Sequence, residues 1–166
     1  MTEKVEVRRA QVGDVNAITA IYNDAIETTT ATFDTEPKTL EDRLEWFHAH
    51  DDRHPVLVSV LGNEIVGWAA LNKWSDRAAY NNTAETSIYI DATYRGKGIG
   101  TALNNALVEE AQRLGFHTLI ARIAEGSEQS LRLHERAGFV HVGVLKQVGR
   151  KFGRLLDVHV YQKMLG

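Results

Sequence analysis

The chain has 166 residues, a formal net charge of -3 and no cysteine. A chain of this length usually forms one domain that buries roughly 70% of the surface exposed by its unfolded state. We therefore expect a single domain over residues 1–166. The lack of cysteine excludes thiol nucleophiles, zinc–thiolate sites and redox pairs, and it suits a reducing cytoplasm. The negative charge argues against a protein-wide electrostatic attraction to nucleic acid.

The sequence contains no segment typical of secretion or membrane insertion. Residues 1–9 alternate charged residues with valines and lack the apolar stretch of a secretory signal. No run approaches the ~20 apolar residues that a membrane-spanning helix needs. We therefore expect a cytoplasmic protein without a membrane partner.

The spacing of apolar residues predicts a strand at residues 5–7 and then two helices. The first helix follows Asp14, which occupies the position of an N-cap, and the second begins at Thr39. Between them lies a polar, threonine-rich loop, residues 28–37, which carries Phe33. Such a loop can reach over a functional site.

A hairpin and a central strand follow. Residues 56–60 and 65–71 read as two strands joined near a Gly62-Asn63 turn, and residues 72–82 form a second loop. The next strand, residues 83–90, has a period of two. It places Glu85, Ser87 and Tyr89 on one face and Thr86, Ile88 and Ile90 on the other. A carboxylate is thus carried into the middle of a sheet.

The second half continues with alternating helices and strands. A helix ends at Gly115, a strand covers residues 118–124, and another helix runs from Ser127 to Gly138. Two strands at residues 139–145 and 155–162 come last, and we expect a basic loop between them at residues 149–154. This order predicts an α/β protein with a mixed sheet and helices on both faces.

A glycine-rich segment lies between the central strand and the third helix. It consists of Arg95, Gly96, Lys97, Gly98, Ile99 and Gly100. Glycines let a backbone approach an anion, and a helix N-terminus favours negative charge, so a pyrophosphate is a natural ligand. The spacing matches neither the dinucleotide fingerprint nor the Walker loop. An ordinary tight turn followed by a helix cap is the alternative.

Several motifs together resemble the GCN5-related N-acetyltransferases: the strand 85–90, the glycine segment 95–100 and the helix end 133–139. Residues 21–25, 31–37 and 151–157 are similar to the branch that acetylates phosphinothricin and methionine sulfoximine. The resemblance implies a largely antiparallel mixed sheet of about seven strands, splayed between strands 4 and 5, with about four helices. It also implies a homodimer.

The resemblance further implies acetyl-CoA as cosubstrate and direct transfer of its acetyl group to an amine. The backbone of residues 95–100 would hold the pyrophosphate, and the backbone of Ile88, Tyr89 and Ile90 would pair with the pantetheine arm. In this family a backbone N–H of that strand polarises the thioester carbonyl. Ser127 stands where the branch usually has an asparagine that contacts CoA, although serine is also a common N-cap.

Two side chains are candidates for proton transfer. Glu85 is the expected base that removes a proton from the amine, because the branch has a glutamate at the matching place. The alternative is a surface glutamate on an edge strand. His134 occupies the position of the family's proton donor to the thiolate, and its role is that or a CoA contact; a plain helix-surface histidine is the alternative. No histidine spacing suggests a metal site, so we expect no metal.

The acceptor pocket is the part in which this sequence departs from the branch. Relatives have an arginine and an aromatic residue after the tryptophan that matches Trp74, whereas here Ser75 follows and the arginine is Arg77. Arginine suits a carboxylate through two hydrogen bonds, but a solvated surface arginine is the alternative. Phe33, Trp74 and Tyr80 are candidates for the pocket wall.

Three functions remain open at this point. The first is an acetyl-CoA-dependent N-acetyltransferase of a small amino-acid-like amine, such as phosphinothricin or methionine sulfoximine. The second is a CoA-binding module without turnover, which would not need Glu85. The third is an N-acetyltransferase of proteins or peptides.

Overall fold

The computed structural model describes residues 4–166, so the first three residues of the segment examined for a secretory signal lie outside the described part. A seven-stranded sheet has the order β1-β2-β3-β4-β5-β7-β6. Its strands are β1 (Glu6–Arg9), β2 (Val56–Leu61), β3 (Glu64–Lys73), β4 (Thr83–Ile90), β5 (Thr118–Ala124), β6 (Val140–Lys151) and β7 (Arg154–Met164). The helices are α1 (Val15–Thr28), α2 (Leu40–Ala49), α3 (Ile99–Arg113) and α4 (Glu128–Arg136). The predicted order of elements is confirmed.

The sheet opens between its two parallel neighbours. All other neighbouring strands are antiparallel, whereas β4 and β5 run parallel and pair only from Thr83–Thr118 to Glu85–Ile120. Both strands continue past these pairs, β4 to Ile90 and β5 to Ala124. The predicted splay between strands 4 and 5 is therefore confirmed.

Two hydrophobic cores lie on opposite faces of this sheet. On one face α3 contributes Ile99, Leu103 and Leu107, and Ile88 and Ile90 of β4 pack against this cluster. On the other face, α1 and α2 cover a second cluster that includes Ile18, Ile26 and Trp68, with Tyr89 packed against it. Alternate residues of β4 thus face opposite layers, as the period of two predicts.

The threonine-rich loop is fixed to the second half of the chain. The buried Lys151 ammonium donates to the carbonyl oxygens of Thr29, at 2.6 Å, and Thr32, at 2.8 Å. Thr30 Oγ1 donates to the carbonyl oxygen of Glu125 at 2.8 Å. These bonds hold the loop across the ends of β5 and β6.

The prediction of a basic loop at residues 149–154 is wrong. β6 continues to Lys151 and β7 starts at Arg154, so the two strands are joined by Phe152 and Gly153 alone. Both residues have positive φ, 52° and 73°, as the type I′ turn of a two-residue hairpin requires. A phenylalanine at positive φ is uncommon, which is why the sequence did not indicate this turn.

The predicted helix caps differ in outcome. Thr39 Oγ1 accepts from the Asp42 N–H at 3.1 Å, which confirms a side-chain cap for α2. Asp14 occupies the N-cap position of α1 but makes no side-chain capping bond. Its carboxylate instead accepts from Arg8 at 2.7 and 3.1 Å and from the Gln11 N–H at 2.7 Å. Asp14 therefore connects β1 to the start of α1.

None of the described helices is long and apolar enough to cross a membrane.

The Asp14→Asn variant should be less stable than the wild type at pH 7 by about 1–3 kcal/mol, because a hydrogen-bonded carboxylate is replaced by a neutral amide. The Arg8 hydrogen bond lowers the pKa of Asp14. The stabilisation is therefore complete above the unfolded aspartate pKa of about 3.9 and is lost as the pH falls through the lower folded value. Urea unfolding from pH 7 to pH 2.5 measures the difference.

Asp24→Asn is the matched control, since Asp24 is exposed on the same helix. A difference between wild type and Asp14→Asn that does not change with pH would contradict this account.

Candidate active site

The glycine segment forms a turn that ends at the N-terminus of α3. Gly96 and Gly98 have φ of 78° and 81°, and Gly98 is the N-cap of the helix. A Cβ atom at either position would meet no atom within 4 Å, so the backbone conformation, and not crowding, requires glycine. Arg95 and Lys97 are exposed beside them. The turn therefore presents an uncrowded backbone flanked by two cations.

The start of α3 adds hydrogen-bond donors to this turn. The first N–H groups of a helix have no acceptor within the helix and carry the positive end of its dipole. Ile99 is 1% exposed and anchors the turn in the core. A Cβ at Gly100 would lie 2.7 Å from Cδ1 of Leu133, so this glycine lets α4 approach closely. These features suit a pyrophosphate group.

The opening beside β4 exposes a particular set of backbone groups. The N–H of Asp91, just after β4, donates to the carbonyl oxygen of Val66 in β3 at 2.9 Å. Two residues earlier in β4, Tyr89 lies opposite Trp68 of β3. In an antiparallel pair, alternate residues direct both backbone groups to the partner strand. Tyr89 therefore bonds to β3, whereas the N–H and C=O groups of Ile88 and Ile90 point toward the opening.

Glu85 lies where the opening begins, on the face covered by α1 and α2. β4 is the fourth of seven strands, so Glu85 is not on an edge strand. Its carboxylate accepts from Arg122 Nε at 2.5 Å and Nη2 at 2.9 Å. The side chain of Glu85 is 18% exposed and that of Arg122 is 52% exposed. The hydrogen bond to Glu85 raises the pKa of Arg122, so the guanidinium stays charged.

Arg122 is a site residue that no motif in the sequence indicates. Its partner is 37 residues away in the chain, and only the register between β4 and β5 brings the two together. The one available signal was a charged residue within a strand that is otherwise apolar or small, residues 118–124.

Of the three candidate residues in the loop after β3, one lies beside the Glu85–Arg122 pair and two do not. The ring of Trp74 lies 5.8 Å from the Arg122 guanidinium, so this residue joins the Glu85–Arg122 pair. Arg77 and Tyr80 are exposed. The described hydrogen bonds of Arg77 use its backbone: its N–H donates to Ser75 Oγ at 3.2 Å, and its carbonyl oxygen accepts from the Tyr80 N–H at 3.0 Å. No described contact brings Arg77 or Tyr80 to the pair.

Phe33 packs against the C-terminal hairpin. A Cβ at Gly149 would lie 2.2 Å from the Phe33 ring, so only glycine leaves room for this aromatic side chain. Nearby, the Tyr89 hydroxyl donates to the carbonyl oxygen of Ala31 at 3.2 Å. The loop that carries Phe33 thus covers the end of β4 on the face that also carries Glu85.

His134 is buried and not a surface histidine. It is 4% exposed and packs edge-on against Phe139. Its Nδ1 lies 2.7 Å from the Ser130 carbonyl oxygen, which can only accept, so Nδ1 carries the proton. Burial lowers the pKa of His134. The ring is therefore neutral near pH 7, and its Nε2 is an acceptor.

Ser127 occupies the N-cap position of α4, but its side chain makes no capping hydrogen bond. The prediction that this hydroxyl caps the helix is wrong, and it can bond elsewhere. Residues 4–166 contain no group of three His, Cys, Asp or Glu side chains that could hold a metal ion.

Known proteins share this architecture and sequence. The acetyltransferase (GNAT) family matches residues 18–139. The L-methionine sulfoximine/L-methionine sulfone acetyltransferase of Pseudomonas paraeruginosa is 40% identical over 158 residues, which cover 94% of this chain and 92% of that protein.

Two solved structures have closely similar folds. A phosphinothricin acetyltransferase from Sinorhizobium meliloti, in complex with AcCoA, has a TM-score of 0.95 and 33% identity, covering 100% of this chain and 90% of its own. A ribosomal-protein-alanine N-acetyltransferase from Brucella melitensis has a TM-score of 0.93 and 40% identity, covering 96% and 99%. The family match and these full-length similarities lead to one conclusion: the chain belongs to the GNAT family of acetyltransferases.

Proposed function

We propose that this protein is an acetyl-CoA-dependent N-acetyltransferase of small amino-acid-like amines, of the phosphinothricin or methionine sulfoximine type. One observation carries the proposal: a glycine turn at a helix N-terminus and a carboxylate lie on opposite faces of the sheet, at the opening between β4 and β5. The names of the Pseudomonas and Sinorhizobium relatives support this acceptor class. We assign the activity to a single domain over residues 1–166.

The cosubstrate site consists of the turn and the opening. The backbone N–H groups of residues 95–100 would hold the pyrophosphate, with Arg95 and Lys97 neutralising its charge. The N–H and C=O groups of Ile88 and Ile90 would bond to the pantetheine arm and the thioester. The ring of Tyr89 would line the site on the face covered by α1 and α2. Acetyl-CoA, when bound, supplies a thioester carbonyl that an amine can attack. No metal takes part in this proposal.

Glu85 removes the proton that the amine must lose. An amine is protonated near neutral pH, and a carboxylate beside the opening, directly or through one water, can accept that proton. The acetyl group then passes directly to nitrogen, without an acetylated enzyme.

The neutral state of His134 changes its assignment. Its Nδ1–H is bound to Ser130 and its Nε2 has no proton to give, so we assign it to accepting a hydrogen bond from the CoA arm or thiol. The hydroxyl of Ser127 is the second contact that we assign to the arm.

The acceptor side of the site lies on the face covered by α1 and α2. Trp74 would form the wall of the acceptor pocket beside Glu85. The loop that carries Phe33 would form the opposite wall, near Tyr89. Arg77 and Tyr80 remain proposed wall residues on the exposed loop.

We further propose a cytoplasmic homodimer. Acetyl-CoA is an intracellular metabolite, which supports the location. β6 is an edge strand, and its exposed apolar side chains include Val140 at 67%, Val142 at 60% and Val148 at 56%. An exposed, apolar edge strand favours pairing with another chain. We expect the second copy to bind at this edge.

The Val142→Lys variant should shift the dimer toward monomer, because a charge would be buried at the proposed contact. Sedimentation velocity at several protein concentrations measures this shift. Val12→Lys is the control, since Val12 is 56% exposed near the other edge of the sheet. A monomeric wild type, or a Val142→Lys protein that stays dimeric, would contradict the proposal.

The function is tested with purified protein, acetyl-CoA, a thiol reagent and a panel of amines. Thiol should appear only when an amino-acid-like acceptor is present. Glu85→Gln should lower kcat/KM at pH 7 by about 100-fold or more, since a positioned base contributes that much. The deficit should shrink at higher pH, where the amine loses its proton without help.

Glu109→Gln is the control, because it removes the same charge from an exposed position on α3. A Glu85→Gln enzyme with normal rates and a normal pH profile would remove Glu85 from the mechanism. CoA binding without thiol release from any amine would indicate a binding module.

The Brucella relative gives one specific reason to test a protein acceptor. A panel of peptides with free N-termini in the same assay decides between a protein acceptor and a small amino-acid-like acceptor. Acetylation of peptides, with no reaction of free amino acids, would replace the small-molecule proposal.

A further inference from the structure

The position of Arg122 follows from the strand register. Glu85 is directly opposite Ile120, the last residue of β5 that pairs with β4. Side chains of paired residues share one face of a sheet, and so do residues two apart in a strand. Arg122 therefore lies on the same face as Glu85, on the part of β5 that pairs with β7 but not with β4. It stands across the opening from the side chains of Ser87 and Tyr89.

The guanidinium retains binding capacity after it has bonded to Glu85. Its described hydrogen bonds use Nε and Nη2, and an arginine has five N–H donors in a planar fork. The Nη1 side of the fork makes no described hydrogen bond. Since the side chain is 52% exposed, a second carboxylate can approach this side while Glu85 keeps the other.

Trp74 restricts where the guanidinium lies. Its ring centroid is 5.8 Å from the guanidinium carbon, within the roughly 6 Å range of a cation–π contact. Two restraints, Glu85 and Trp74, thus act on Arg122 from different sides. Arg77, in contrast, projects from the exposed loop and has no described bond to the sheet.

A fixed carboxylate beside a fixed guanidinium matches one kind of ligand. An α-amino acid carries its ammonium and its carboxylate on the same carbon, so the two groups lie close together. The ammonium can face Glu85 while the carboxylate takes the Nη1 side of Arg122. A simple amine satisfies only half of this arrangement, which leaves the charge on Arg122 without a second partner.

We propose that Arg122, and not Arg77, binds the α-carboxylate of the acceptor and thereby selects amino acids over simple amines. This inference rests on the proposed N-acetyltransferase function. The carboxylate-binding role expected of Arg77, in the loop after Trp74, thus belongs to Arg122 of β5.

The test compares two acceptors, methionine sulfone and 3-(methylsulfonyl)propylamine, the same molecule without its carboxylate. Arg122→Gln should raise KM for methionine sulfone by about 10- to 100-fold, the effect of losing a charge-assisted bidentate contact. KM for the simple amine should stay within about threefold, because that acceptor has no carboxylate for Arg122 to bind. Arg122→Lys should recover only part of the loss, since lysine lacks the planar fork.

Arg113→Gln is the matched control. Arg113 also donates through Nε and Nη2 to one glutamate, Glu110, on the far end of α3. This substitution should change neither KM.

Two kinetic results would overturn the inference. An equal loss for both acceptors in Arg122→Gln would show that Arg122 only positions Glu85. A selective loss in Arg77→Gln, with Arg122→Gln unaffected, would return the role to the loop.

Calorimetric titration of methionine sulfone separates this inference from the proposed function. Binding that depends on Arg122, without thiol release from any amine, would support the carboxylate site and contradict the transferase. Turnover that requires no carboxylate, with equal affinity of wild type and Arg122→Gln, would support the transferase and overturn the site.

Discussion

The active site depends on the short pairing between β4 and β5. Parallel bonding stops at Glu85 and Ile120, although both strands continue. Beyond that point the N–H and C=O groups of Ile88 and Ile90 have no strand partner in the described part of the chain. Unpaired backbone groups that are shielded from water cost about 1–3 kcal/mol each. A ligand with its own amide groups can therefore bind in the opening and supply the hydrogen-bond partners that Ile88 and Ile90 lack.

The same opening joins two regions of opposite chemistry. On the α3 face, the turn with Gly96 and Gly98 and the helix terminus are suited to a phosphate. On the other face, Glu85 and Arg122 form an ion pair beside Trp74. In the proposed function, an amine would reach a thioester between β4 and β5 from the second face, while the nucleotide part of acetyl-CoA would stay on the first. With this arrangement, the sheet would separate the cosubstrate from the amine except at their reactive atoms.

Local patterns predicted most of this arrangement, and long-range pairing supplied the rest. The period of two placed Glu85 correctly, and the glycines located the turn before α3, because both features depend on neighbouring residues. The partner of Glu85 depends on a register across 37 residues, which no local pattern contains. The burial of His134 results from tertiary packing, which its position on a helix does not reveal. The hairpin requires a positive φ at Phe152, which this residue type does not indicate.

Residue-resolved amide hydrogen exchange tests the central claim most directly. On addition of acetyl-CoA, the amides of Ile88 and Ile90 should become protected from exchange, because they face the opening. The exchange rates of the Ser87 and Tyr89 amides, which already bond to β3, should change little. The amides of residues 96–100 should become protected together with those of Ile88 and Ile90. Uniform protection along β4, or bound acetyl-CoA that leaves Ile88 and Ile90 unprotected, would contradict the account.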